Sequence, residues 1–252
     1  MTELLVDIGN SRIKWALARN GELMGRAQAL AHTDHPTLFA DWATLEPIPQ
    51  AVRCVCVAAD STLEAIDAWV AAHWGIALDR VRTPAAASQA GLTLAYPQPE
   101  QLGADRWLAM RGAQHRGQLP AIIIDAGSAI TVDQVDGEGQ HYGGLILAGI
   151  AAQHAGLQTM TPALPPLISA AADQPPPLLA TNTADALASG AINGTAAALD
   201  QLVTRLAGES APIPNILMTG GDAPTLAAAM RTPATHYPDL VLEGLAAIAR
   251  LT

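Results

Sequence analysis

Three short stretches of the chain set a carboxylate among small or polar residues at spacings that suit phosphate chemistry. The first is Asp7-Ile8-Gly9-Asn10-Ser11-Arg12-Ile13-Lys14. Its glycine lets the backbone come close to a ligand, Asn10 and Ser11 offer donors, Lys14 can neutralise charge, and Asp7 can hold Mg²⁺, usually through water. The plainer reading is a β-turn between two strands whose Asp and Asn bond the local backbone, and these residues by themselves favour it. The second stretch, Asp125-Ala126-Gly127-Ser128-Ala129-Ile130-Thr131-Val132-Asp133, repeats the Asp-x-Gly-polar turn after a run of isoleucines. One such turn is commonplace. Two at equivalent places in two strand–turn–strand units is what a nucleotide clamp between duplicated half-domains requires. The third stretch is Gly103-Ala104-Asp105-Arg106, opening a run with helical spacing. There Asp105 can simply cap the helix while Arg106 is solvated. It can also orient or deprotonate a hydroxyl that attacks phosphorus, with Arg106 pairing to an anionic group, and one turn can do both.

These residues need elements to hold them. LLVDIGNSRIKWALARNGELMGRAQAL reads as a β-meander: strand, Asn/Ser turn, strand, an Asn20–Gly21 hairpin turn, strand. STLEAIDAWVAAHWG reads as a helix capped by Ser61 with Glu64 behind it, carrying Leu63, Ile66, Val70 and His73 on one face and packing on the strand RCVCVAA. Residues 85–101 read as loop and lead into the helix that begins at Asp105. After Pro120 the opening pattern returns in AIIIDAGSAITVDQVDGEGQHYGGLIL, as strand, Gly turn, strand, Asp-Gly turn, strand. Residues 162–177 are a proline-rich excursion, followed by a helix from about Thr183 to Ala207, then a strand, Gly220–Gly221, a helix, and a closing helix around LVLEGLAAIARL. The expected architecture is two similar α/β halves, residues 1–117 and 118–252.

Bulk properties narrow the function classes. Half of the residues are apolar and only 14% are charged, which suits one large core or two modest ones and excludes a disordered chain. The formal charge of −10 disfavours nucleic acid and anionic membranes as partners, so an anionic substrate needs local donors. MTELLVDIGN enters a strand with no basic region or long apolar stretch, which makes the cytoplasm the expected compartment. Cys54 and Cys56 share one face of a strand without metal or redox spacing and read as buried free thiols. His73 reads as a helix-face histidine, His115 and His154 are unplaced, and the tryptophans read as core or interface anchors. There is no GxxxxGK[ST] loop, no G-x-S-x-G elbow and no transition-metal spacing.

Read together, DxGN[TS]xxK, GADRW, DxG[TS]AxTxD, GGxI, TGGdA and LvLEGL follow one another from Asp7 to Leu245. In that combination the chain resembles the type III pantothenate kinases, the GADR plus DxG[TS]A pair being the most specific part. The resemblance implies an α/β fold of the actin-like ATPase (acetate-and-sugar-kinase/Hsp70/actin) class, transfer of the γ-phosphoryl group of ATP to pantothenate, a homodimer, and K⁺ or NH₄⁺ beside Mg²⁺ with ATP. Matched residue by residue, it puts Asp7, Ile8, Gly9, Asn10, Ser11, Arg12, Ile13 and Lys14 on the ATP phosphates, and Ser128 on ATP as well. Gly220 and Gly221 face the adenosine by superfold analogy. Asp105 becomes the proton acceptor from the primary hydroxyl of pantothenate, and Tyr96, Gly103, Ala104, Asp105, Arg106 and Thr183 line the pantothenate pocket. Asp125 becomes the K⁺ ligand. Ser11 and Ser128 stand where the family commonly has Thr, keeping the hydroxyl, and Ala148 replaces a Pro in GGLILAG. Another small-molecule kinase of the superfold and a catalytically silent accessory factor are the alternatives. Retention of Asp7, Asp105, Arg106 and Asp125 together speaks against a silent relative.

Overall fold

The first strand, β1 (Thr2–Ile8), is buried at nearly every position because it has a neighbour on each side. It pairs antiparallel with β2 (Arg12–Arg19) and parallel with β5 (Ala51–Cys56). This explains its unbroken apolar run, since a strand buried on both faces has no polar alternation to show. The hairpin out of β2 turns at Asn20 and Gly21, both at positive φ (54° and 76°), as its two-residue turn requires. It delivers β3 (Glu22–Leu23), and β4 (Gln28–Ala31) also pairs with β2. With β6 (Leu78–Arg80) the sheet runs β3-β2-β1-β5-β6. The computed structural model describes residues 1–165, 176–208 and 213–248, so most of the proline-rich stretch 162–177 lies outside the described residues.

Helices α1 (His35–Ala43) and α2 (Asp60–Trp74) close a core of Leu4, Val6, Ile8, Trp15, Leu38, Trp42, Ile66 and Val70. The α2 helix buries Ile66 and Val70 as its spacing predicts, but Ser61 is not its cap. The N-cap position is Ala59, with no side-chain bond, and Ser61 lies inside the first turn. Aromatic rings fill one region: Trp42 meets Trp15 edge-on at 6.3 Å, Phe39 stacks on Trp69 at 5.2 Å, and exposed His73 stacks on Trp69 at 4.2 Å. Cys54 and Cys56 are buried free thiols, and burial pushes the Cys54 thiol up to about 12. The stretch read as loop carries a small hairpin, β7 (Ser88–Gln89) with β8 (Leu92–Thr93), and a 3₁₀ turn at Pro99–Gln101 before α3 (Ala104–His115).

The second unit repeats the plan. β9 (Ala121–Ala126) pairs antiparallel with β10 (Ala129–Val135) and parallel with β12 (Asn215–Thr219), and the sheet order is β11-β10-β9-β12-β13 with β11 (His141–Ala148) and β13 (Thr235–His236) at its edges. Its core joins Ile122, Ile124, Ile130 and Met218 to α4 (Ile150–Met160), α5 (Thr183–Ala207) and α6 (Ala223–Ala229).

The chain divides at 118/119, one residue from the expected boundary, but the second half does not run to the C-terminus. The units are Met1–Gln118 with Asp239–Thr252, and Leu119–Pro238. The returning helix α7 (Leu240–Ile248) packs on α3 through two glycines. A Cβ on Gly112 would run into the Leu240 carbonyl oxygen and come within 3.0 Å of its Cδ1, and one on Gly244 would run into the Leu108 carbonyl, 2.7 Å from its carbon. Backbone therefore meets backbone. The carboxylate of Glu243 clasps the Arg116 guanidinium just beyond. Helix propensity alone favours Ala over Gly by about 1 kcal/mol. Gly244→Ala should nevertheless lower stability by about 1–3 kcal/mol through overpacking. A circular-dichroism melt of the variant at or above the wild-type temperature would refute this contact.

Candidate active site

The GADR turn opens α3. Gly103 is its N-cap with extended ψ (134°), and its carbonyl accepts from the Trp107 N–H at 3.1 Å. Asp105 is therefore not the cap. It stands at the second helical position, half-buried, and its Oδ1 accepts from the Arg106 N–H at 2.9 Å. A negative charge in the first turn of a helix is favoured by the helix dipole. A side chain at 103 would come within 2.5 Å of Asp105 Oδ1, so the glycine leaves room for that carboxylate. Arg106 is not solvated either: it is 6% exposed. Its Nη1 donates to the Tyr96 hydroxyl at 3.0 Å, and its guanidinium carbon lies 5.8 Å from the Tyr96 ring centre. Tyr96, ten residues upstream, is thus joined to the turn by a direct bond.

The first Asp-x-Gly turn joins β1 to β2. Asp7 pairs across the ladder with Lys14 and Ile8 with Ile13, and the Gly9 N–H donates to the Arg12 carbonyl at 3.0 Å. Asn10, Ser11 and Arg12 are exposed at its tip. A Cβ on Gly9 would stand 3.1 Å from that same carbonyl, a tight contact that the turn would have to yield to accept.

The second turn, between β9 and β10, is one residue shorter. Asp125 pairs with Thr131, Ala126 with Ile130, and the Gly127 N–H donates to the Ala129 carbonyl at 3.0 Å. Here more of the chain converges. Thr219 at the end of β12 is the parallel partner of Asp125, Gly220 follows at φ +95°, and the Asp222 N–H donates to the Ala126 carbonyl at 2.9 Å. From the other side the Gly149 N–H, at the N-cap of α4, donates to the Ser128 carbonyl at 3.2 Å. Asp125, Ser128 and Gly220 are thus brought together. Thr183 is exposed at the first position of α5. The cap there is Asn182, whose Oδ1 accepts from the Asp185 N–H at 2.9 Å while its Nδ2 donates to Asp185 Oδ2 at 2.6 Å.

With this geometry in view, comparison with known proteins is decisive: the profile of the family described as type III pantothenate kinase matches residues 3–205. The chain belongs to that family. A relative named Type III pantothenate kinase, from Halorhodospira halophila, is 37% identical over 248 residues, covering 96% of this chain and 95% of that one. Among solved structures, a Campylobacter jejuni protein assigned to the Baf family of transcriptional activators superposes with a TM-score of 0.58 at 22% identity, covering 98% of each chain. The activator of 2-hydroxyisocaproyl-CoA dehydratase from Clostridium difficile, with bound ADPNP, gives 0.55 at 14%, covering 99% of this chain and 94% of that one. The fold is that of the actin-like ATPases.

In this member of the type III pantothenate kinase family, three residues beside the candidate positions hold the local backbone. Gly149 and Asp222 adjoin the second turn, and the missed cap Asn182 was signalled only by an Asn three residues before an Asp. Asn182→Ala should cost about 1 kcal/mol of stability. Thr183→Ala should stay within about 0.5 kcal/mol. Paired thermal melts decide between them, and an equal loss at both positions would contradict the assignment of the cap.

Proposed function

We propose that this chain moves the γ-phosphoryl group of ATP onto the primary hydroxyl of pantothenate, the first step of coenzyme A biosynthesis. The observation that carries the reading is the GADR turn: a half-buried carboxylate on the first turn of α3, next to a buried arginine tied to Tyr96 at 3.0 Å. Asp105 accepts the hydroxyl proton as its oxygen attacks phosphorus, and Arg106 with Tyr96 offers a preorganised partner for the substrate carboxylate. Gly103, Ala104 and Thr183 complete the pantothenate contacts, while Asp7–Lys14, Ser128, Gly220 and Gly221 contact ATP. Charge on the transferring group is stabilised mainly by positioned donors and cations, because such a transition state asks little covalent chemistry of the protein.

The donors suit hard cations. Among the described residues no group of three or more His, Cys, Asp or Glu could hold a metal by itself, and each Asp-x-Gly motif opens with one carboxylate near a strand end. Such sites fit ions that share their coordination with phosphate and water: Mg²⁺ at Asp7, and K⁺ or NH₄⁺ at Asp125. When bound, these ions neutralise phosphate charge. We further propose a homodimer in the cytoplasm without nucleic-acid or membrane partners. No helix among the described residues is long and apolar enough to cross a membrane. In the second unit Ile146, Leu157, Met160, Leu178 and Leu179 are exposed, and Gly190 and Gly194 on α5 leave open space for a close neighbour, which supports self-association.

An ATP-consumption assay with pantothenate, in K⁺ and in Na⁺, tests the whole reading. Asp105→Asn should keep the fold and nucleotide binding and lower turnover by about 100- to 10,000-fold. Near-wild-type turnover would remove Asp105 from the role of base. Asp125→Ala should abolish both the stimulation by K⁺ or NH₄⁺ and most of the rate, and full wild-type activity in Na⁺ alone would count against the cation site. Thr183→Arg should raise the KM for pantothenate or split the dimer while sparing ATP binding. Sedimentation and separate substrate titrations check this, and unaltered kinetics with an intact dimer would take Thr183 out of the site.

A further inference from the structure

The duplication lets the second turn be compared with an internal control. In both units the Ser of the turn bonds, through its carbonyl, to the residue that follows the paired outer strand. The His32 N–H reaches Ser11 at 3.0 Å after β4, and the Gly149 N–H reaches Ser128 at 3.2 Å after β11. The registers agree, since Arg12 pairs with Ala31 and Ala129 with Ala148, which makes His32 and Gly149 counterparts. The first unit thus accepts a full imidazole where the second has no side chain. A Cβ on Gly149 would collide with the Gly127 carbonyl oxygen and lie 2.6 Å from that of Ser128.

The parallel side differs in the same sense. After β5 the Val57 N–H bonds the Ile8 carbonyl directly at 3.1 Å, two residues beyond Val55, the partner of Asp7. After β12 the matching bond comes from Asp222, three residues beyond Thr219, the partner of Asp125. The extra residue turns the chain at Gly220, whose φ of +95° few side chains adopt. A Cβ there would collide with the Ala126 carbonyl and lie 2.5 Å from Asp125 Oδ1. Both turns are bonded by backbone from both sides, but at the second a Cβ on Gly149 or on Gly220 would collide with the backbone of the turn itself.

We propose that Gly149 and Gly220 are positioning residues that lock the second turn, Gly149 setting Ser128 and Gly220 setting the carboxylate of Asp125. Resting on the functional reading above, this deepens it. The glycines act through their neighbours: a methyl at either site shifts the turn by the order of an ångström, and such a misplacement can cost about 100-fold in rate. The two have separable effects: Gly149 acts on the nucleotide through Ser128, whereas Gly220, itself proposed to contact ATP, adds an effect on the monovalent-cation response through Asp125.

The test uses Gly149→Ala, Gly220→Ala and, as a control with open space where its Cβ would stand, Gly25→Ala. Binding of Mg²⁺ with the non-hydrolysable analogue AMPPNP is measured by calorimetry in KCl and in NaCl, beside steady-state kinetics and thermal melts. Gly149→Ala should weaken AMPPNP and raise the KM for ATP by about 10- to 100-fold in either salt, leaving the pantothenate KM within about two-fold. Gly220→Ala should lower kcat by about 100-fold and erase the difference in AMPPNP affinity between KCl and NaCl that is expected of the wild type. Gly25→Ala should match the wild type throughout. Folded variants with unchanged AMPPNP affinity and unchanged salt response overturn the proposal. Failure of both variants to fold while Gly25→Ala folds also overturns it, by assigning the glycines to folding alone. If the wild type does not phosphorylate pantothenate, the functional reading falls, while altered AMPPNP binding by the variants still upholds the role of the glycines.

Discussion

Each unit is built around one central strand, held antiparallel on one side and parallel on the other, and the Asp-x-Gly turns leave the C-terminal ends of these strands. A strand in that position has all its backbone groups engaged and both faces buried, so its last residues are the most firmly placed in the sheet. The antiparallel partner brings a tight turn to the strand end, and the parallel partner ends beside the same point. A carboxylate there sits on rigid backbone with loops converging on it, where open α/β sheets hold their ligands. Asp7 and Asp125 occupy that place, one in each unit.

The strands and turns of this plan were open to reading because they rest on local rules. An isoleucine run, an Asn-Gly pair at positive φ and a recurring Asp-x-Gly each have one cheap conformation, and the repeat made the duplication visible. The helix over 183–207 was readable for a similar reason, as a long small-residue run with polar starts. What stayed hidden was set by partners distant in sequence. Nothing local distinguishes Asn182 from Thr183 as a cap, or Gly103 from Asp105, since both members of each pair are acceptable at such a position. The return of α7 to the first unit depends on Gly112 and Gly244 finding one another over more than a hundred residues. Local sequence left Arg106 open between a solvated side chain and an anion partner, and its burial, with the bond to Tyr96, sets the first aside.

The two units also show how a duplicated scaffold specialises without changing its topology. Strand order and register are shared along the central strands, yet one turn loses a residue and the loop after the parallel strand beside it gains one. Such edits fall at loop ends, where they leave the cores intact. The outer strands diverge further: β4 is short, while β11 runs through eight residues and exposes Leu145 and Ile146. An exposed apolar edge strand invites pairing, and a cover over it is the usual natural remedy.

The aromatic region of the first unit has a consequence of another kind. All five tryptophans, at positions 15, 42, 69, 74 and 107, belong to that unit, and the second contains only Tyr142 and Tyr237. Intrinsic emission excited at the indole band therefore reports the environment of one unit alone, whereas far-ultraviolet ellipticity sums over both. With Trp15, Trp42, Trp69 and Trp74 within mutual coupling distance, the emission of this cluster is also subject to energy migration and to quenching by the imidazole of His73 stacked on Trp69. Coincident denaturation curves from the two signals mean that the units unfold as one cooperative block, and separated curves resolve their stabilities with no label added.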